Sequence, residues 1–212
     1  MMIAAMAPNP NDGVARESAS SQSLSALRRS LLPLDTADRA NGPLPRAAVL
    51  IPIIEENDGL RIVYIRRSES TGIHSGQVAF PGGKREDTDP TLAATALRES
   101  WEEVAIEPAT VAMLGAFPAM QTATTGMLVA PFAGVIPADT QLRPAPAEVA
   151  EIFSVSIADL RNPALRALHE LHRDGLLWKF PSIDCGGRPL WGLTYRITLA
   201  LIAMLDGEPS PL

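Results

Sequence analysis

The stretch from Phe80 to Ile106 restricts the fold of this chain most, because a glycine pair there precedes a run of carboxylates. Gly82 and Gly83 allow backbone conformations that are closed to other residues, so the buried segment before them is predicted to turn sharply into a polar loop. A helix is predicted to begin near Asp89. Asp89 would act as its N-cap, and Pro90 suits the first helical position, where a missing N–H is harmless.

This predicted helix has one apolar face and one acidic face. The apolar stripe, which should face a core, consists of Leu97, Trp101 and Val104. Glu99, Glu102 and Glu103 lie on the other side, at spacings where like charges repel, and Arg98 is the one basic residue inside the run. A solvated acidic face is the plainer interpretation. We favour a site for Mg²⁺ or Mn²⁺, which prefer hard oxygen ligands and bridge to substrate phosphates.

The same residues resemble the Nudix hydrolase signature, which runs Gly, Glu, Arg-Glu, Glu-Glu and usually Gly. Arg98-Glu99 and Glu102-Glu103 match it as they stand. The resemblance implies that Glu99 and Glu103 are the principal metal ligands, that Glu102 is an accessory ligand and that Arg98 orients them. The chain departs from the pattern in three ways: Asp89 or nothing replaces the early Glu, the interval from Gly to Arg is one residue longer, and Ala105 replaces the last Gly.

The longer interval is similar to one branch of that superfamily, the coenzyme A diphosphatases, and the similarity extends from Ala47 to the last helix. The residues upstream that resemble the branch signature, and which it implies bind substrate together with Gly82 and Gly83, are Arg67, Ser68, His74 and Gln77. Gly72 differs, because the family pattern has an Arg there. Arg66 or Arg67 would then have to supply the missing charge, or selectivity would be weaker.

Further polar residues have two interpretations each. Glu148 and Glu151 are predicted to face solvent on an edge strand, and one of them is the alternative candidate for a general base or late metal ligand. His169 and His172 are predicted one helical turn apart on a solvated helix face, which we prefer to a zinc site because no third ligand is evident. Cys185 is expected to be a thiol without a catalytic role.

Charge and cysteine content exclude several classes of protein. The net charge of −6 argues against a general binder of nucleic acid, which needs clustered Lys and Arg. Cys185 is the only cysteine, so an intrachain disulfide cannot form and a reducing cytoplasm is the expected setting. No apolar run reaches the ~20 residues that a membrane span requires, so we expect a soluble protein.

The order of patterns along the chain predicts one main domain after an N-terminal extension. We expect a disordered tail over residues 1–22, a helix and linker over 23–45 and the Nudix domain over 46–212. The predicted strands are Ala47–Ile54, Arg61–Arg66, Val111–Phe117, Leu128–Ile136, Glu148–Ser156, Leu176–Ile183 and Pro189–Leu190, and the predicted later helices are Ala158–His172 and Leu193–Leu205. This interleaving predicts an α/β fold, a Nudix-type α/β/α sandwich with a mixed sheet.

We expect a metal-dependent hydrolase of a pyrophosphate linkage. The resemblance implies coenzyme A or acyl-CoA as substrate, with 3′,5′-ADP and (acyl-)4′-phosphopantetheine as products. One alternative is a Nudix hydrolase of another nucleoside diphosphate linked to X, such as an ADP-sugar or a dinucleotide. Another is a ligand-binding Nudix module without catalysis. The expected partner is a small-molecule substrate rather than nucleic acid or membrane, and the sequence leaves open whether the chain is a monomer or a homodimer.

Overall fold

The computed structural model describes residues 18–39, 43–69, 76–123, 125–173 and 175–208. Its helices are α1 (Ala19–Ser30), α2 (Leu92–Val104), α3 (Ile157–Arg161) and α4 (Gly192–Leu205), with short 3-10 turns at Ala37–Arg39, Pro108–Thr110 and Pro163–Leu165. Its strands are β1 (Ala47–Glu56), β2 (Gly59–Arg67), β3 (Val78–Ala79), β4 (Gly82–Lys84), β5 (Ala112–Ala116), β6 (Met120–Gln121), β7 (Leu128–Ile136), β8 (Val149–Ser156), β9 (Arg166–Arg173), β10 (Leu176–Asp184) and β11 (Pro189–Trp191).

Within these ranges the strands form a mixed sheet of eight and a smaller sheet of three. The large sheet runs β3-β2-β1-β7-β5, with β4 added to β1, β6 to β7 and β8 to β2. β1 and β7 are parallel, and their neighbours are antiparallel. Because β4 pairs with β1 at Ala47–Val49, the glycine turn is fixed to the most central strand pair of the sheet.

Helices cover both faces of the large sheet, which confirms the predicted α/β/α sandwich. One core lies beneath α2, where Leu92 and Val104 pack against residues such as Leu50 and Phe132. The other lies beneath α1 and α4, where Leu27 and Leu201 are buried. The residues of β1 contribute to the two cores in turn, because successive side chains of a strand point to opposite faces of the sheet.

The predicted helix over Ala158–His172 is wrong. A helix begins there, but α3 ends at Arg161, because Pro163 removes a backbone donor and Asn162 before it is extended. The chain then enters β9, which forms a hairpin with β10. His169 and His172 are therefore three positions apart on a strand and point to opposite sheet faces, and the His169 ring stacks on Trp191 at 4.6 Å between centroids.

Two details of α2 also differ from the prediction. The helix begins at Leu92 rather than near Asp89, and Thr91 is its N-cap, accepting a hydrogen bond from the Ala94 N–H at 3.1 Å. Trp101 was predicted to face the core, but it is 49% exposed. The buried face carries smaller residues, including Ala96 and Ser100, which allow the helix to lie close to the sheet.

The N-terminal helix α1 begins at Ala19, earlier than the predicted boundary, with Ser18 as its N-cap. Residues 1–17 of the predicted tail lie outside the described residues. Most remaining strands and the last helix agree with the predictions within a few residues. No helix in the described ranges has the length and apolar character needed to cross a membrane.

Candidate active site

The glycine turn is held where neither glycine leaves room for a side chain. Gly82 has φ of +151°, and a Cβ there would lie 2.3 Å from the Ala48 carbonyl oxygen. A Cβ on Gly83 would lie 2.5 Å from the carboxylate of Glu99. Gly82 therefore lets β4 approach β1, whereas Gly83 makes space for an acidic side chain of α2.

Glu103 joins α2 to this turn. Its carboxylate is almost fully buried and accepts hydrogen bonds from the Gly82 N–H at 2.8 Å and from Arg67 Nη1 at 3.2 Å. Arg67 Nη2 also donates to the Gly82 carbonyl oxygen at 3.0 Å. Burial raises the pKa of Glu103 to about 7, although Arg67 opposes the rise. Arg67, predicted to bind substrate, is thus engaged with Glu103 and the turn.

Arg98 connects the carboxylates of α2 to the loop before it. Its Nε and Nη2 donate to the two oxygens of Asp89, each at 3.0 Å, in a bidentate pair. Nη2 also donates to the Lys84 carbonyl oxygen at 3.0 Å and to Glu99 at 3.1 Å, and Nη1 donates to Glu102 at 3.0 Å. Arg98 therefore links Asp89 and the Lys84 carbonyl oxygen to the carboxylates of Glu99 and Glu102.

Asp89 takes the place of the early acidic residue and is not the helix cap. Besides Arg98, it accepts hydrogen bonds from the Glu86 N–H and the Thr95 hydroxyl, both at 2.9 Å. The hydrogen bonds from Arg98 hold the pKa of Asp89 down to about 2. Asp89 thus contacts Arg98 even though the interval from the glycine to Arg98 is one residue longer than in the signature.

Glu99 and Glu102 differ in their surroundings. The Glu99 side chain is 15% exposed, and burial raises its pKa against the effect of Arg98. The Glu102 side chain is 54% exposed. Negative charge on Glu148, an exposed residue, further raises the pKa values of Glu99 and Glu103.

The donor set fits a hard divalent cation. Glu99, Glu103 and Glu148 offer only oxygen ligands, which Mg²⁺ and Mn²⁺ prefer. Burial is the main cause of the raised pKa values of Glu99 and Glu103, and negative charge on neighbouring carboxylates adds to it. Across the described ranges, no three His, Cys, Asp or Glu side chains form a close metal-binding group. Of the predicted ligands, Glu99 and Glu103 adjoin the turn, whereas Glu102 lies further toward solvent.

Other predicted residues are placed as follows. Ser68 lies at the end of β2, its hydroxyl donates to the Pro146 carbonyl oxygen at 3.2 Å, and its N–H donates to the Glu148 carbonyl oxygen at 2.9 Å. The Gln77 carbonyl oxygen accepts from the Arg67 N–H at 3.0 Å. His74 and Gly72 lie outside the described residues.

Glu151 belongs to a different cluster. It is bound by Arg188, whose Nε lies at 3.0 Å, and by Arg66 at 3.3 Å, and these hydrogen bonds lower its pKa. The Arg188 guanidinium also stacks over Phe153 on the α4 side of the sheet. Arg66 and Glu151 therefore neutralise one another away from Glu99 and Glu103.

Sequence reasoning missed two groups at the start of α2. Asp38 contacts the first turn of the helix, but it lies in a segment whose composition indicated only a linker. Thr95 binds Asp89, and no pattern in the sequence marks it. Cys185 is buried, and burial raises its pKa to about 11, where the thiol is unreactive at neutral pH.

Comparison with known proteins adds the family context. The model of the NUDIX domain family matches residues 44–179. The uncharacterized Nudix hydrolase NudL of Escherichia coli (strain SMS-3-5 / SECEC) is 37% identical over 173 residues, covering 77% of this chain and 84% of the relative. NudL of Cronobacter sakazakii is 39% identical over 171 residues, with the same coverage.

The search of solved structures gave matches at lower sequence identity. A Nudix hydrolase from Alicyclobacillus acidocaldarius has a TM-score of 0.47 and 18% identity, covering 81% of this chain and 100% of that one. A C. elegans Ap4A hydrolase binary complex has a TM-score of 0.46 and 12% identity, covering 55% of this chain and 82% of that one.

Proposed function

This chain belongs to the Nudix family of hydrolases, which cleave pyrophosphate linkages, and we propose that its substrate is coenzyme A or an acyl-CoA. The products would be 3′,5′-ADP and (acyl-)4′-phosphopantetheine. The observation that carries the hydrolase assignment is the approach of Glu99 and Glu103 to the Gly82–Gly83 turn. The preference for coenzyme A rests on the resemblance around Arg67, Ser68 and Gln77.

We assign the principal metal-binding role to Glu99 and Glu103, with Glu102 as an accessory. When bound there, Mg²⁺ or Mn²⁺ supplies positive charge for the diphosphate and lowers the pKa of water. Arg98 fixes Glu99 and Glu102 through its hydrogen bonds to both. Arg67 and the Gly82 N–H hold Glu103 in place, so these two groups prepare the site before substrate arrives.

We propose Glu148 as the group that accepts the proton of the attacking water. Two observations support this proposal: the Glu148 carbonyl oxygen accepts from the N–H of Ser68, the neighbour of the Arg67 that binds Glu103, and negative charge on Glu148 raises the pKa values of Glu99 and Glu103. Glu151 is committed to Arg66 and Arg188 instead. A Glu148→Gln variant should therefore lose far more kcat than Glu151→Gln, because only the first loses a proton acceptor.

The test of the function is a substrate panel. The protein is incubated with Mg²⁺ or Mn²⁺ and coenzyme A, 3′-dephospho-coenzyme A, an ADP-sugar or a dinucleotide, and products are identified by mass. Glu99→Gln and Glu103→Gln serve as controls and should each lose more than about a hundredfold in rate, because they remove charge and keep shape. Glu102→Gln should lose less. Near-normal rates in Glu99→Gln and Glu103→Gln, with unchanged melting, would refute the metal-site assignment.

Two other functions compete with this proposal. A Nudix hydrolase of another nucleoside diphosphate would cleave the ADP-sugar or the dinucleotide faster than coenzyme A. A ligand-binding module would bind a nucleotide and release no product. The complete set of Glu99, Glu102 and Glu103 favours catalysis, because binding alone does not require a metal cluster.

Gly72 provides a sharper test of the coenzyme A assignment. Gly72→Arg should lower KM for coenzyme A more than for its 3′-dephospho analogue, by up to the ~1.5–3 kcal/mol of a charged hydrogen bond. Equal effects on the two substrates would favour a different nucleotide substrate.

We further propose that a second copy of this chain pairs with strand β9. This strand is the outer edge of the three-stranded sheet and has no second neighbour among the described residues. If the two strands pair antiparallel about a two-fold axis at Leu168, Arg166 of each copy lies opposite Glu170 of the other copy. The same pairing covers Leu168, which is 63% exposed. Leu168→Lys should give a monomer by light scattering, whereas Leu177→Lys, away from that edge, should leave a dimer. A monomeric parent protein would exclude this pairing.

A further inference from the structure

The N-terminal arm, residues 18–39, precedes the region matched by the family and reaches both layers of the sandwich. Leu27 of α1 is buried in the core beneath α4. Leu32 then forms a two-way backbone bridge with Ala116 at the edge of β5, and Ala37 is buried in the core beneath α2. The arm thus passes around the sheet edge from one helical layer to the other and ends beside α2.

Asp38, at the end of the arm, binds the first residue of α2. Its Oδ1 accepts hydrogen bonds from the Leu92 N–H at 3.1 Å and from Arg85 Nη1 at 3.0 Å, and its side chain is only 17% exposed. The first N–H groups of a helix lack partners within the helix, and a negative charge there is favourable. Asp38 is therefore a second hydrogen-bond acceptor for the first turn of α2, in addition to the N-cap Thr91.

Arg85 carries the contact onward to the catalytic residues. Its Nη2 donates to the carbonyl oxygens of Asp89 and Pro90, each at 3.2 Å. The Asp89 side chain binds Arg98, and Arg98 binds Glu99. A continuous set of charged hydrogen bonds thus runs from the arm to a carboxylate at the glycine turn.

We propose that Asp38 is a positioning residue of the reaction, which fixes the start of α2 and thereby the placement of Glu99 against Gly83. This inference rests on the proposed function. If Asp38 contributed only to folding, its hydrogen bond from the Leu92 N–H would be sufficient. Its hydrogen bond from Arg85 also restrains the loop that holds Asp89. Loss of the Asp38 charge therefore loosens Glu99 without removing any group that touches substrate.

The test compares Asp38→Asn with Asp35→Asn. The first keeps shape and an acceptor for the Leu92 N–H but loses the charge that binds Arg85. Asp35 lies on the same arm, and its side chain forms an exposed ion pair with Arg39. Asp35→Asn changes only that side chain and keeps the backbone hydrogen bond from the Asp38 N–H to the Asp35 carbonyl oxygen, so it is the matched control. Removing residues that orient metal ligands typically costs about 10–100-fold in activity or metal affinity. We expect Asp38→Asn to lose about tenfold in kcat with little change in KM, and Asp35→Asn to lose neither.

Two further measurements separate positioning from stability. Free Mn²⁺, measured by electron paramagnetic resonance, should show weaker binding to Asp38→Asn than to the parent protein, without any substrate. In an Arg85→Ala background, Asp38→Asn should add little, because the two residues act through one contact. Lower melting temperature with unchanged kcat and Mn²⁺ binding would overturn the proposal. If the parent protein hydrolyses no diphosphate, the proposed function fails, while the Mn²⁺ measurement still decides the role of Asp38.

Discussion

At the scale of single residues, the two glycines of the turn should respond differently to the same substitution. Gly82→Ala would place a Cβ against the Ala48 and Val49 backbone at a φ that alanine rarely adopts. We expect it to lower the free energy of unfolding by about 3 kcal/mol or more. Gly83→Ala would meet only the Glu99 carboxylate, the end of a side chain that can move. Gly83→Ala should melt near the parent temperature yet lose most activity. Comparable losses of stability in the two variants would contradict the separate roles assigned to Gly82 and Gly83.

Glu103 should make the stability of the metal-free protein depend on pH. Its pKa is raised from 4.5 to about 7, so the folded state binds this proton more tightly than the unfolded state. The stabilisation, about 3 kcal/mol, is fully present below pH 4.5 and is lost as pH rises through 7.

Glu103→Gln removes that titration. Urea unfolding in chelator at pH 5 and pH 7.5 should show a smaller loss of stability across this interval than in the parent protein. Glu102→Gln is the control, because the Glu102 side chain is mostly exposed. An unchanged difference between the two pH values in Glu103→Gln would show that Glu103 does not titrate there.

The chemistry of the site was more predictable than its contacts. Glu99, Glu102, Glu103 and Arg98 stand out in the sequence because their spacing on a helix is electrostatically unfavourable without a cation. The burial of Glu103 could not be predicted, because it depends on Gly82 and Arg67, which approach through the sheet.

At the scale of elements, the end of α2 offers a stabilising change. Ala105 adopts the left-handed conformation, with φ of 59°, and its N–H closes the helix on Trp101. An alanine pays about 1–2 kcal/mol for this conformation, whereas glycine adopts it freely but is more disordered when unfolded. Ala105→Gly should therefore raise the free energy of unfolding by about 0.5–1 kcal/mol, measured by urea titration. Ala93→Gly, within the helix, should lower it.

The β9–β10 hairpin shows why element type can be misread. Arg166 to His172 carries leucines at spacings that also suit a helix, and the residues offer no clear alternation. The better signal was Asp174-Gly175, a dipeptide typical of two-residue hairpin turns, and two residues do separate the paired Arg173 and Leu176. Strand β1 was easier, because a continuous apolar run flanked by turn residues fits a buried central strand.

At the scale of the whole molecule, activity should depend on a divalent metal. The chain has a net charge of −6, and its site must bring carboxylates close to a negatively charged diphosphate. Excess chelator should abolish hydrolysis, and Mg²⁺ or Mn²⁺ should restore it. Ca²⁺ should support it poorly, since it prefers more ligands at longer distances. Product formation at the full rate in chelator would rule out the proposed chemistry.

The architecture followed from the alternation of strands and helices, whereas the path of the N-terminal arm did not. The sequence predicts a helix and linker over residues 23–45, and Leu27 of α1 is buried in the core beneath α4. That the following residues reach α2 depends on Gly115, where a Cβ would lie 2.7 Å from Leu31, so the arm needs this glycine to approach β5. Such tertiary approaches leave no local pattern.

The burial of Cys185 makes this protein convenient for site-specific labelling. It is the only cysteine in the chain, and its thiol is both enclosed and held protonated. A maleimide or a nitroxide reagent would therefore not react with Cys185 and would attach to a cysteine introduced at the surface. Cys185 would not have to be replaced first. With a nitroxide at Leu177→Cys, dipolar spectroscopy would read the spacing between hairpins of two copies, and the same reagent at Asp35→Cys would follow the arm.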